Sequence, residues 1–92
     1  METERSGFIA ECFWPDVNEA DLAALDRRVA QAATGLDVRY LGSILLREDE
    51  VVLCQFDGPA DTVRAVAERA QVPFERILHA ARSPWREGVP SG

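Results

Sequence analysis

Lysine is absent from this 92-residue chain; all ten basic residues are arginine. An all-arginine basic set fits a GC-rich genome better than it fits a function. Sixteen acids oppose these arginines and leave a net charge of −6. That balance excludes the broad basic face that non-specific nucleic-acid binding requires. Histidine occurs once, as His79, so no paired-histidine metal motif can form. Two cysteines, Cys12 and Cys54, lie too far apart for a Cys-x-x-Cys motif and read as buried free thiols. No apolar run approaches the ~20 residues of a membrane-spanning helix. The first residues, Met1 to Ser6, are charged and lack the apolar core of a signal peptide. A cytoplasmic protein without membrane or nucleic-acid partners is therefore expected. Neither a glycine-rich phosphate loop nor a Ser/His/Asp order is present. The acidic run Glu48-Asp49-Glu50 lacks the ligand spacing of a calcium loop and reads as a solvated hairpin tip.

What remains is an ordinary globular composition, with 47% hydrophobic and 28% charged residues. The length supports one domain over residues 1–92 with one modest core. An ordered part at about 7–82 is expected, with loose tails at 1–6 and 83–92. Gly7 to Trp14 is aromatic and apolar, ends at Pro15-Asp16, and reads as a strand. Asn18 caps a helix whose first turn holds Glu19 and Asp21, where the helix dipole favours acids. Leu22, Leu25, Val29 and Ala32 recur at helical spacing, and Gly35 stops the helix, giving about Glu19–Thr34. Val38 to Arg47 and Val51 to Phe56 read as a hairpin joined by the acidic turn. Gly58-Pro59 opens a second helix with Val63, Val66, Ala67 and Ala70 on its buried stripe. Pro73 ends it, and Arg76 to Ala81 is a last strand.

The order β-α-β-β-α-β, with right-handed crossovers, folds as a ferredoxin-like plait of the α+β class. The expected sheet is antiparallel and four-stranded, in the order 4-1-3-2, with both helices on one face. Alternation along strands one and three assigns Phe8, Ala10, Cys12 and Trp14, and Val52, Cys54 and Phe56, to the helix face. Glu11 and Gln55 then lie on the open face, on neighbouring strands. His79 shares a face with Ile77, and alternation alone assigns that face to neither side. Turned to the open side, it would stand beside Glu11.

Several segments carry a resemblance. Phe8-Ile9-Ala10-Glu11 is followed by Trp14-Pro15, then Val38-Arg39-Tyr40-Leu41-Gly42-Ser43, then Cys54-Gln55-Phe56-Asp57-Gly58-Pro59. Ala67-Glu68-Arg69-Ala70 and Val72-Pro73-Phe74-Glu75-Arg76-Ile77 complete the series. In this order, from Phe8 to Ala80, the chain resembles the DUF4242 family. The resemblance implies a ferredoxin-like fold and a dimer. It also implies that nickel is possible, since one branch of that family binds it. That branch uses several histidines, whereas this chain has His79 alone, so no metal-ligating residue and no cofactor is assigned.

The open sheet face is expected either to pair with a second copy or to take a ligand. Glu11, Gln55 and His79 would supply polar contacts to a small organic molecule, with Phe13 and one of Arg39 or Tyr40 lining the site. A desolvated Glu11 sharing a proton with His79 would suit a cofactor-free cyclase, isomerase or oxygenase, which makes these two the catalytic candidates. The alternatives are Glu11 paired with an arginine across a dimer interface and His79 as a partly solvated strand residue, a divalent-metal protein, and an interaction module with no small ligand. Cys12 and Cys54 are expected side by side in the core, with no nearby cation to make a thiolate. Phe13, Trp14, Phe74 and Trp85 are expected to fill core or dimer contacts.

Overall fold

The computed structural model describes residues 6–81. The expectations for the two tails and for Trp85 lie outside the described residues. Six elements follow in order: β1 (Ser6–Phe13), α1 (Glu19–Ala33), β2 (Arg39–Leu46), β3 (Val51–Asp57), α2 (Ala60–Arg69) and β4 (Arg76–Ala81). The strands form one sheet ordered β2-β3-β1-β4, and every neighbouring pair is antiparallel. This is the ferredoxin-like α+β plait that the pattern of elements predicts.

Local chemistry sets the element ends. At the start of α1 the Asn18 side chain accepts from the Asp21 amide at 2.8 Å, and the Asp21 carboxylate accepts from the Asn18 amide at 3.1 Å. This reciprocal box satisfies two amides that the first turn would otherwise leave unpaired. Pro59 precedes α2, and Gln71 takes a left-handed conformation after it, at φ 59°. The Arg28 Nε of α1 donates to the Ala70 carbonyl at 2.9 Å and so ties α1 to the end of α2.

The core lies between the helices and one sheet face. Leu25, Val29 and Ala33 of α1 and Val63, Val66 and Ala67 of α2 are buried against Ala10, Cys12, Val52, Cys54 and Phe56. Their mutual burial supplies the main driving force for folding. The two cysteines are free, fully buried and on the helix side. Contact with the Cys54 sulfur, then burial, pushes the Cys12 thiol up from its ordinary value.

β2 departs from simple alternation. Tyr40 pairs with Phe56 and Gly42 with Gln55, so Leu41 is an extra residue in a β-bulge, and Gly42 sits at φ 108°. The bulge brings Tyr40 and Ser43, three residues apart, to the same face. Both hydroxyls donate to Asp26 Oδ1 of α1, at 2.6 and 2.9 Å. Burial, then the bond to Asp26, pushes the Tyr40 phenol up.

Candidate ligand face on the open side of the sheet

Among the described residues no helix lies on the second sheet face. Its residues stand in four cross-strand rows, set by the register. Arg39, Asp57, Gly7 and Ala80 form one end. Next come Gly42, Gln55, Ile9 and Leu78, then Ile44, Leu53, Glu11 and Arg76. Leu46, Val51 and Phe13 form the far end.

These rows differ in height and polarity. Toward the far end the side chains are bulky and apolar, and several are open to solvent: Phe13 is 52% exposed, Ile44 44% and Leu46 40%. Toward the other end, Gly7, Gly42 and Ala80 leave the surface low. A Cβ placed on Gly42 would meet nothing within 4 Å.

Charge is balanced across this face. Arg76 Nε donates to Glu11 Oε1, and the carboxylate holds the guanidinium above its ordinary value. Asp57 faces Arg39 across β3 and β2 but forms no ion pair with it. Two acids and two arginines thus cancel among these strand residues, in a chain whose net charge is −6.

The expected site residues divide between the two faces. Glu11, Phe13, Gln55 and Arg39 lie on the open face, as the alternation requires. His79 and Tyr40 do not. His79 pairs with Phe8 and stacks on its ring, with centroids 4.9 Å apart and planes at 22°. It therefore stands on the helix side of the sheet, away from Glu11, because β4 meets β1 in the register that places Ile77 opposite Ala10. Tyr40 points to α1, where Asp26 and the Phe56 ring hold it. Of the two alternatives beside Phe13, the open face thus takes Arg39. Sequence reasoning missed Asp57, which is 9% exposed and shares this face. Its one sequence signal is its position directly after the buried Phe56, at the end of an alternating strand.

The donor set does not fit a transition metal. Among the described residues no three of His, Cys, Asp and Glu converge as a metal site. Both thiols are enclosed in the core and His79 is stacked on Phe8, on the sheet face opposite Glu11, so these donors do not converge. A separate cleft of about 130 Å³ opens beside the hairpin tip, between Trp14, Val17, Leu45 and Glu50. It is smaller than the roughly 300–1,000 Å³ of small-molecule sites, and its Arg47 is engaged by Glu19 at 3.2 Å.

The arrangement defines a small α+β domain of the ferredoxin-like class, with a largely apolar sheet face that no other described element covers. No family model matches the chain, and no curated protein matches it. Among solved structures it is similar to SCO4226 from Streptomyces coelicolor A3(2), with a TM-score of 0.73 and 16% sequence identity. The match covers 85% of this chain and 99% of that one. At that identity the likeness establishes the shared fold. No helix among the described residues is long and apolar enough to cross a membrane.

Proposed function

We propose that this protein binds a small organic molecule on its open sheet face and closes that face against a second copy of itself. The observation that carries this reading is the uncovered apolar end of the sheet, where Phe13, Ile44 and Leu46 are among the most exposed large hydrophobic residues described. A contiguous apolar patch of this kind marks an interaction surface. Four strands about 5 Å apart, with about 3.3 Å per residue, make a face roughly 20 Å on a side. Side-chain relief brings such a face toward the ~800 Å² per partner of a standard interface.

Charge supports a second copy as the partner. The acids that give the chain its net charge of −6 lie mostly outside the open-face rows, which are internally neutral. Two copies meeting through these rows avoid facing like charge with like. The bulky rows would meet first, and the low rows near Gly7 and Gly42 would leave room for a ligand beside Gln55, Arg39 and Glu11. Membership of the DUF4242 family belongs to the same proposal and rests on its ordered sequence motifs. Acid–base catalysis through Glu11 and His79 has less support, because the two stand on opposite faces.

The test is light scattering on the full chain together with binding of the apolar dye anilinonaphthalene sulfonate. The expected result is a dimer that binds the dye, and monomers with weakened dye binding for Phe13→Asp and Ile44→Asp. A wild-type monomer with no dye bound would remove the reading.

A further inference from the structure

We infer that a groove on the helix side of the molecule, between Leu36 and α2, is a binding site for a small carboxylic acid with an apolar body. It belongs to α2 and the α1–β2 turn, away from the open sheet face, and stands independently of the reading above. The groove offers about 550 Å³ and is lined by Leu36, Ala65, Val66, Glu68 and Arg69. That volume falls within the roughly 300–1,000 Å³ of small-molecule sites.

The apolar lining is held in place. Leu36 is 45% exposed, among the most exposed large hydrophobic residues described, and stands on the turn between α1 and β2. Two backbone bonds fix that turn. The Leu36 amide donates to the Ala33 carbonyl at 3.0 Å, and the Val38 amide donates to the Leu36 carbonyl at 2.8 Å. Leu36 therefore meets a ligand with its backbone already ordered, which lowers the entropic cost of binding. Val66 is buried and forms the floor, while the small Ala65 beside it keeps the groove open.

Charge selects an anion. Arg69, the last residue of α2, is exposed and forms no ion pair among the described residues. The acid in the groove, Glu68, already has a cation: its Oε2 lies 3.9 Å from Arg64 Nη1, and the Arg64 guanidinium sits over the Phe74 ring. The C-terminal end of a helix ordinarily repels an anion, because its last carbonyls are unpaired. Here that end is largely satisfied. The amides of Ala70, Gln71 and Val72 donate to the carbonyls of Val66, Glu68 and Ala67 at 2.9, 3.0 and 2.9 Å. Arg28 Nε donates to the Ala70 carbonyl and so brings a second guanidinium to the same end of α2. Among the described residues it too has no carboxylate partner. A carboxylate matches the planar fork of N–H donors on Arg69. Leu36, Ala65 and Val66 then take the apolar body out of water.

Octanoate is the probe, with octylammonium as the control for charge and acetate as the control for the apolar body. Each is titrated into the full chain and followed by amide chemical shifts. The expected result is saturable binding of octanoate with shifts at Leu36, Ala65, Val66 and Arg69, about tenfold tighter there than either control. Arg69→Gln should weaken it about fivefold. Ala65→Glu, which puts a carboxylate in the groove, should weaken it about tenfold. Glu68→Gln should tighten it about twofold. Phe13→Asp, on the open face, should leave it unchanged, so this site and the open-face reading fail separately. No saturable shift at these residues, equal binding of octanoate and octylammonium there, or binding unaltered in both Arg69→Gln and Ala65→Glu would overturn the proposal. So would contacts from Trp85 to Leu36 in the free chain, or groove shifts that follow protein concentration without octanoate. These would give the groove to the chain's own terminal segment or to a second copy. The comparison of probes on the wild-type chain needs no variant to fold.

Discussion

Asp26 joins helix and sheet through two hydroxyls on one carboxylate oxygen, Tyr40 at 2.6 Å and Ser43 at 2.9 Å. Tyr40→Phe removes one of these bonds and keeps the ring against Phe56, so a loss of about 1 kcal/mol is expected. Asp26→Ala strands both hydroxyls half-buried, and about 2–3 kcal/mol should be lost. Urea denaturation of the two variants measures the difference. Alkaline pH should act on the same residues. The folded state raises Tyr40 above its ordinary 10.0. The phenol therefore stays protonated in the folded chain where the unfolded chain has already ionised. Its stabilisation is complete below about pH 10 and declines as pH rises beyond it. Melting temperature should fall above about pH 10, and Tyr40→Phe should flatten that decline. An unchanged decline in that variant would locate the effect elsewhere.

At the level of elements, two glycines and a cap decide how the pieces join. Gly58 follows β3 at φ 148°, and a Cβ there would come within 2.9 Å of the Asp37 carbonyl oxygen. Gly58→Ala should therefore destabilise the fold by about 1–3 kcal/mol, since backbone must shift at a conformation that L-residues rarely adopt. Asn18→Ala breaks the reciprocal cap of α1 and should cost about 1 kcal/mol. Neither site lies on the open face, so dye binding at a temperature where both variants remain folded should match wild type. A loss there would mean that helix packing and the open face are coupled. Gly42 marks the element most poorly read from sequence. Strict alternation puts Tyr40 and Ser43 on opposite faces, whereas the bulge at Leu41 turns both toward α1. A glycine within an apolar strand is the only local sign of that bulge.

For the whole molecule, charge and surface separate. One sheet face is buried under two helices, and the other is largely apolar, neutral in its strand residues and covered by no other described element. If two copies meet through it, association should depend on apolar area more than on charge. Sedimentation equilibrium at low and high salt should then give dimer constants that agree on the order of twofold, because screening has little net charge to act on. A dimer that dissociates steeply as salt rises would point to an interface built elsewhere.

The linear order of residues determined much of this protein. Helical spacing at Leu22, Leu25 and Val29, alternation in β1 and β3, and the punctuation at Gly35, Pro59 and Pro73 were enough for the plait, its strand order and the open-face placement of Glu11 and Gln55. These signals are local, and each is repeated along its element. Only the tertiary structure decided the faces of His79 and Tyr40 and the burial of Asp57. The side on which His79 falls depends on how β4 registers against β1, a pairing about seventy residues apart in the chain. Tyr40 depends on a single inserted residue, and Asp57 on the register that sets it between Gly7 and Arg39. Such facts belong to pairs of distant residues, and no property of either residue alone encodes them.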